Sequence, residues 1–149
     1  MVPTLGEALE STVSRLGAST DSPRAEAEEL MSRLLGLGRS QLYLERARPL
    51  GAEDASQLER WVSRRLDGEP IQYVTGRAAF RDLDLSVGPQ VLIPRPETEL
   101  IVEAALQLHP APDAAPTVVD VGTGSGCVAV SIAYERPHAA VFKIGRAHV

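Results

Sequence analysis

The sequence predicts an α + α/β fold: an N-terminal helical bundle, a β-hairpin linker, and then the start of a strand–turn–helix domain. Three observations carry this. Up to about residue 70, apolar side chains recur at helical spacing, with capping signals between the runs. Near residue 80 a short stretch alternates as paired strands do. Thr117-Val118-Val119-Asp120-Val121, nearly all β-branched, then runs into Gly122-Thr123-Gly124-Ser125-Gly126-Cys127, a glycine turn opening a helix.

The elements follow in order. Thr4-Leu5-Gly6-Glu7 has the T-x-x-E form of a capping box, so a first helix starts at Leu5. Leu5, Ala8, Leu9, Val13 and Leu16 form its apolar face, and Gly17 ends it. Ser22 before Pro23 reads as an N-cap with proline at the first helical position. The second helix turns Ala27, Leu30, Met31, Leu34 and Leu35 inward and Glu26, Glu28, Glu29 and Arg33 in part outward, stopping at Gly36. Ser40 caps a short helix through Leu42, Tyr43 and Leu44. A longer helix, from about Ala52 to Asp67, lines Leu58, Trp61, Val62 and Leu66 along one stripe and ends before Gly68. Its Arg60, Arg64 and Arg65 suit a solvated face or, alternatively, an acidic partner or RNA.

Ala79-Phe80 and Leu83 to Val87 form two short strands around Arg81-Asp82. Gly88-Pro89 breaks the chain, and Gln90 to Ile93 is extended. Pro96 opens a helix whose Glu97 and Glu99 complement the positive end of its dipole. Leu100, Ile101, Ala104, Ala105 and Leu108 make its apolar face, and residues 109–116 are too rich in proline to continue it. The strand at 117–121 has little polar alternation, as in a parallel strand covered on both faces.

Composition narrows the function. The formal charge is −5, spread as twelve acidic against nine basic residues over 1–75 and eight against six over the rest. With no basic face, nucleic acid is a poor candidate for the main partner. One cysteine excludes an internal disulfide and fits a reducing compartment. No run approaches the ~20 apolar residues of a membrane span, and the N-terminus lacks a basic region followed by an apolar core. A cytoplasmic setting is expected, with no metal site.

The glycine turn carries the chemistry. A strand feeding a helix through such a turn aims backbone N–H groups and the helix dipole at a ligand with an anionic group. The dinucleotide fingerprint is G-x-G-x-x-G. Here the spacing is G-x-G-x-G, with Cys127 where the third dinucleotide glycine falls and Asp120 two residues before the first. An NAD-dependent enzyme fits less well, and a turn in some other α/β protein stays open. The D-x-G-x-G-x-G pattern resembles the first motif of S-adenosylmethionine-dependent methyltransferases of the Rossmann-like class.

Further motifs extend the resemblance. Gly68-Glu69-Pro70-Ile71-Gln72-Tyr73-Val74-Thr75-Gly76, Phe80, Leu92-Ile93-Pro94-Arg95-Pro96-Glu97-Thr98-Glu99 and Val119 to Gly126 stand in the order and spacing of the HemK family. These are the peptide chain release factor N5-glutamine methyltransferases, and the chain resembles them over roughly residues 1 to 142. The resemblance implies a release-factor-docking helical domain over 1–75, a hairpin linker over 76–93, and the start of a Rossmann-like methyltransferase domain over 94–149. It implies a monomer that uses S-adenosyl-L-methionine to methylate the glutamine amide of the release factor's Gly-Gly-Gln motif. By the same likeness Asp120, Gly122, Thr123, Gly124, Ser125 and Gly126 meet the methionine end of the cofactor, with Arg95 and Thr98 beside it. Plainer readings put Arg95 in an ion pair, Thr98 in a helix-start hydrogen bond and Cys127 in packing.

The chain also departs from the family. The catalytic Asn-Pro-Pro-Tyr motif is absent, since the sequence contains no Asn, so no catalytic residue is assigned. No acidic residue follows Glu135, where the family places one on the cofactor's ribose. Lys143 is the only Lys in a chain otherwise using Arg, and Ile144 to Val149 can be written ATC GGA AGA GCA CAC GTC, the opening of a common sequencing adapter. Residues 143–149 are therefore expected to be a non-native tail or, alternatively, the genuine end of a natural truncation, and the chain an inactive fragment either way. Val118, Val119 and Val121 are expected to lack most of their partners, leaving an apolar patch. Two other readings remain: a methyltransferase of this architecture acting on a ribosomal protein or another amine, and a non-catalytic helical binding module.

Overall fold

A computed structural model describes residues 2–111, 113 and 115–145. The chain divides into two compact units, Met1–Thr75 and Gly76–Val149.

The first unit holds five helices among the described residues: α1 (Leu5–Leu16), α2 (Pro23–Leu35), α3 (Arg39–Leu44), α4 (Ala52–Leu66) and α5 (Ile71–Thr75). The capping box forms: Thr4 Oγ1 accepts the Glu7 N–H at 3.2 Å, and Glu7 Oε2 accepts the Thr4 N–H at 2.8 Å. That carboxyl is held below the usual range chiefly by the backbone hydrogen bond from Thr4. Backbone bonds from Leu5 to Arg48 and from Leu50 to Pro3, both 2.8 Å, tie the start of α1 to the segment before α4. Leu5, Leu9 and Leu16 of α1, Leu30 and Met31 of α2, and Leu58 and Val62 of α4 form one core. Each such side chain contributes roughly 1.5–3 kcal/mol of burial.

Several sequence expectations shift here. Ser40 lies inside α3; the start is Gly38, whose N–H donates to Gln41 Oε1 at 2.9 Å. Glu28 is buried, because Arg39 pairs with it at 3.1 Å and the Tyr43 hydroxyl donates to it at 2.5 Å. Leu66 is exposed and Trp61 only half-buried, so the stripe of α4 is narrower than its spacing implied. The segment from Ile71 forms a helix, unassigned by pattern alone.

Arg60 and Arg64 lie on the solvated face expected of them, while Arg65 is mostly shielded. Arg65 forks onto the Glu26 carboxylate at 2.6 and 3.1 Å. Arg64 grips Glu69 at 2.7 and 2.6 Å and donates to the carbonyls of Tyr73 and Val74 at 3.1 Å each, placing a cation at the carboxyl end of α5. Arg60 bonds to Gln57.

In the second unit β1 (Arg77–Phe80) and β2 (Leu83–Ser86) pair antiparallel, Phe80 opposite Leu83 and Arg77 opposite Ser86. Arg81 turns the corner with φ 52°, a left-handed conformation that strains a side-chain-bearing residue by about 1–2 kcal/mol. Gln90 to Ile93 contains a turn and a bend and joins no strand. A 3₁₀ turn (Pro96–Thr98) leads into α6 (Glu99–Leu108). Then β3 (Thr117–Val121), α7 (Cys127–Glu135) and β4 (Ala140–Ile144) make a strand–helix–strand unit, β3 and β4 parallel with Val119 opposite Phe142 and Asp120 opposite Lys143. Pro112 and Ala114 of the proline-rich linker, and Arg146–Val149 of the expected tail, lie outside the described residues.

The core of this unit is Phe80, Val102, Cys127 and Ile132, with Ala105, Leu106, Val118, Val128 and Val141 packed against it. The face expected of α6 is wrong. Its buried side is Val102 with Ala105 and Leu106, while Leu100, Ile101 and Leu108 are exposed. Glu99, Glu103 and Gln107 form a polar stripe that points the pattern to the opposite face, but Glu99 and Glu103 meet Arg81, so the buried side lies beside that stripe instead. The expectation that β3 is covered on both faces also fails. Val118 packs toward α7, but Val119 and Val121 are exposed, since β3 has one partner strand and cover on one face. No described helix is long and apolar enough to cross a membrane.

Candidate functional site

The turn between β3 and α7 is made by alternating glycines. Gly122, Gly124 and Gly126 take φ of 80°, 54° and 82°, values that side-chain-bearing residues avoid. At Gly122 an added Cβ meets nothing within 4 Å, so the space above the turn is open. The Gly126 N–H closes the turn on the Thr123 carbonyl at 2.7 Å, and its own carbonyl starts α7. Thr123 Oγ1 donates to Asp120 Oδ2 at 2.8 Å, which anchors the carboxylate at the end of β3 and leaves its other oxygen available.

Next to the turn lies an open cleft of about 340 Å³. One wall is Leu92, Ile93, Pro94, Arg95, Thr98 and Ile101; the other is Asp120 through Ser125, Cys127 and Val128. Two stretches nearly twenty residues apart in sequence thus meet around one space. Of the residues singled out above, Arg95, Thr98, Asp120, Gly122, Thr123, Gly124 and Ser125 line it. Gly126 does not; it is buried beneath as the cap of α7.

Two plainer readings are corrected. The Thr98 side chain makes no capping bond at the start of α6, and Arg95 has no ion pair among the described residues. Both are available to a ligand. Cys127 is buried in the core, as a packing residue, while also lining the cleft. The apolar lining residues Leu92, Ile101 and Val128 were not singled out by sequence, because nothing local distinguishes them from core. Lys143 was unforeseen as a neighbour: its Nζ lies 4.0 Å from where a Cβ on Gly126 would stand.

The arrangement suits a ligand carrying both signs of charge on an apolar stem. Asp120 can accept from a cationic group and Arg95 can pair with an anionic one, while Ile101 and Val128 offer apolar surface. No group of three or more His, Cys, Asp or Glu is placed to hold a metal among the described residues.

Comparison with known proteins gives this geometry a lineage. Residues 7–76 match the family described as the PrmC N-terminal domain. The sequence is 44% identical over 135 residues to the release factor glutamine methyltransferase of Koribacter versatilis, covering 90% of this chain and 48% of that protein. It is 47% identical over 121 residues to that of Geobacter sulfurreducens (81% and 42%) and 40% identical over 138 residues to that of Escherichia coli (93% and 49%). The chain spans about half the length of the curated relatives it matches. With the domain match in the helical unit and this identity running on over most of the sequence, the chain is similar to the N-terminal half of release factor glutamine methyltransferases.

Proposed function

We propose that the cleft is the methionine-end half of an S-adenosylmethionine site, and that it serves methylation of the glutamine side-chain amide in the Gly-Gly-Gln motif of peptide chain release factors. The observation that carries this is the meeting of the Ile93-to-Thr98 segment and the Asp120-to-Ser125 turn around one cleft. The residues fit the group: a glycine cradle open at Gly122, a carboxylate fixed by Thr123, and a guanidinium at Arg95 with no ion pair among the described residues. When bound, the cofactor supplies an electrophilic methyl on a sulfonium. Asp120 holds the ammonium of its methionine end, the turn amides and Arg95 its carboxylate, and Thr98 adds a hydroxyl beside them.

In this reading residues 1–75 dock the release factor, 76–93 are a linker, and 94–149 begin a Rossmann-like methyltransferase domain. The protein is a cytoplasmic monomer whose partner is a protein rather than nucleic acid. The 149-residue chain does not complete the reaction. An amide nitrogen is a poor nucleophile, and orienting it needs acceptors for its N–H groups. The family's Asn is absent, as is an acidic residue after Glu135 for the ribose.

Calorimetry of the 149-residue chain with S-adenosylmethionine is expected to show binding weaker than micromolar; micromolar affinity overturns that half of the proposal. Residues 1–142 joined to the remaining half of the Koribacter relative are expected to transfer labelled methyl to a release factor glutamine, and the chain alone to transfer none. A folded chimera that leaves release factor unlabelled sinks the substrate reading.

A further inference from the structure

One side chain in the second unit holds together the two elements that wall the cleft. Arg81, at the strained corner of the hairpin, donates its backbone N–H to Glu99 Oε1 at 2.9 Å. Its Nε and Nη2 both reach Glu135 Oε1 at 2.8 Å, and Nη1 stands 3.5 Å from Glu103 Oε1. Glu99 and Glu103 are one turn apart on α6, and Glu135 is the last residue of α7. Glu99 directly follows Thr98, which lines the cleft, and Glu135 ends the helix that Cys127, also lining the cleft, begins. Only 18% of the Arg81 side chain is exposed. A residue kept in an unfavourable backbone conformation needs surroundings that over-determine it, and three carboxylates do so here.

We infer that Arg81 is a positioning residue for the cleft: it clamps α6 to α7 and so fixes the spacing between the Arg95–Thr98 wall and the glycine-turn wall. Without it, Glu99, Glu103 and Glu135 face one another with no cation among them, and like charges push the helices apart. The importance of the cleft rests on the cofactor reading; the clamp itself does not.

Cys127 is the only cysteine, is 7% exposed, and lines the cleft in the glycine-turn wall, so its thiol reports the opening of the walls without any cofactor. Its rate of reaction with a small thiol reagent is measured in the full chain. Arg81→Gly removes the guanidinium while suiting the left-handed backbone. It is expected to label about tenfold faster, the factor lost with one charge-assisted hydrogen bond. Arg81→Lys keeps a cation among the three carboxylates and is expected to label more slowly than Arg81→Gly, toward the natural rate. Labelling of Arg81→Gly at the natural rate overturns the inference. Should Arg81→Gly label as fast as the urea-unfolded chain, Glu135→Gln, which removes only the α7 side of the pairing, decides: labelling faster than the natural sequence supports the clamp, and labelling at the natural rate overturns it. Because no cofactor enters the measurement, a failed clamp leaves the cofactor reading standing, and absent cofactor binding leaves the clamp standing.

Discussion

In the helical unit Leu16, Leu30, Met31 and Val62 are fully buried, whereas in the second unit Leu100, Leu108 and Val121 are 65%, 78% and 76% exposed. The two stretches are nearly equal in length. What separates them is the kind of partner each element needs. Amphipathic helices close a core with their sequence neighbours, as α1, α2 and α4 do. A parallel strand pair needs further strands and cover on both faces. Here β3 and β4 have each other and α7, and Val119, Val121, Phe142 and Ile144 stand uncovered on the other side. A core closed by sequence neighbours and a two-stranded sheet open on one face therefore coexist among the described residues.

The broadest way to break this comparison is to cut into each unit's core and surface. Trp61, the only tryptophan, reports the first unit by fluorescence, and Cys127 labelling under denaturant reports the second. Leu30→Ala is expected to destabilise the first unit by about 2–5 kcal/mol. Phe80→Ala is expected to destabilise the second by about 3–5 kcal/mol, since Phe80 is buried at the centre of its core. Leu108→Ala, on the open side of α6, is expected to stay within about 0.5 kcal/mol and to lower binding of an apolar dye. If Phe80→Ala proves as mild as Leu108→Ala, the second unit lacks a packed core and the contrast is deeper than drawn.

Legibility in the sequence follows the same division. The periodic helices, the Thr4–Glu7 box, the hairpin and the glycine turn are local patterns, and the residues alone point to them. Glu28 was assigned outward because its burial depends on Arg39 and Tyr43, in another helix. The buried side of α6 was missed because Leu100, Ile101 and Val102 are equivalent until a neighbour chooses among them. Arg64 reads correctly as surface, whereas Arg65 is shielded because its acceptor, Glu26, lies on another helix. The walls of the cleft were paired only through family resemblance, as no spacing rule brings Arg95 to Asp120. Arg81 read as a turn residue, and nothing local announces its three carboxylates.

A narrower test asks whether an ion pair helps hold the closed unit. Burial raises the Glu26 carboxyl, but hydrogen bonds from Arg65 and Thr20 outweigh it and hold the group below the usual carboxylate range. A carboxyl depressed on folding adds stability above its unfolded value, and this is lost as the pH falls through the folded value. Glu26→Gln is expected to cost about 1.5–3 kcal/mol at neutral pH, the range for hydrogen bonds to charged groups. In strong acid the two proteins should converge, because Glu26 is then protonated in both the folded and unfolded chain. Urea melts followed at Trp61 across this span check it. A constant gap at all pH values makes Glu26 a packing residue rather than an ionic one.

The smallest test concerns two glycines that look alike in sequence, Gly17 and Gly36, each following a helix of the closed unit. Gly36 is left-handed, φ 65°, and its N–H closes α2 on the Ser32 carbonyl, while a Cβ there meets nothing within 4 Å. Gly17 is right-handed, φ −56°, and a Cβ there comes no closer than 3.4 Å to the Ser14 carbonyl. Space is thus available at both sites and only the backbone differs. Gly36→Ala is expected to destabilise by about 1–2 kcal/mol, the strain of a left-handed alanine. Gly17→Ala is expected to stabilise by about 0.4–1 kcal/mol, by restricting the unfolded chain at no native cost. Opposite signs in the same urea melt separate backbone conformation from packing as the reason for each glycine; equal destabilisation shows that the end of α1 needs glycine for a contact rather than for its conformation.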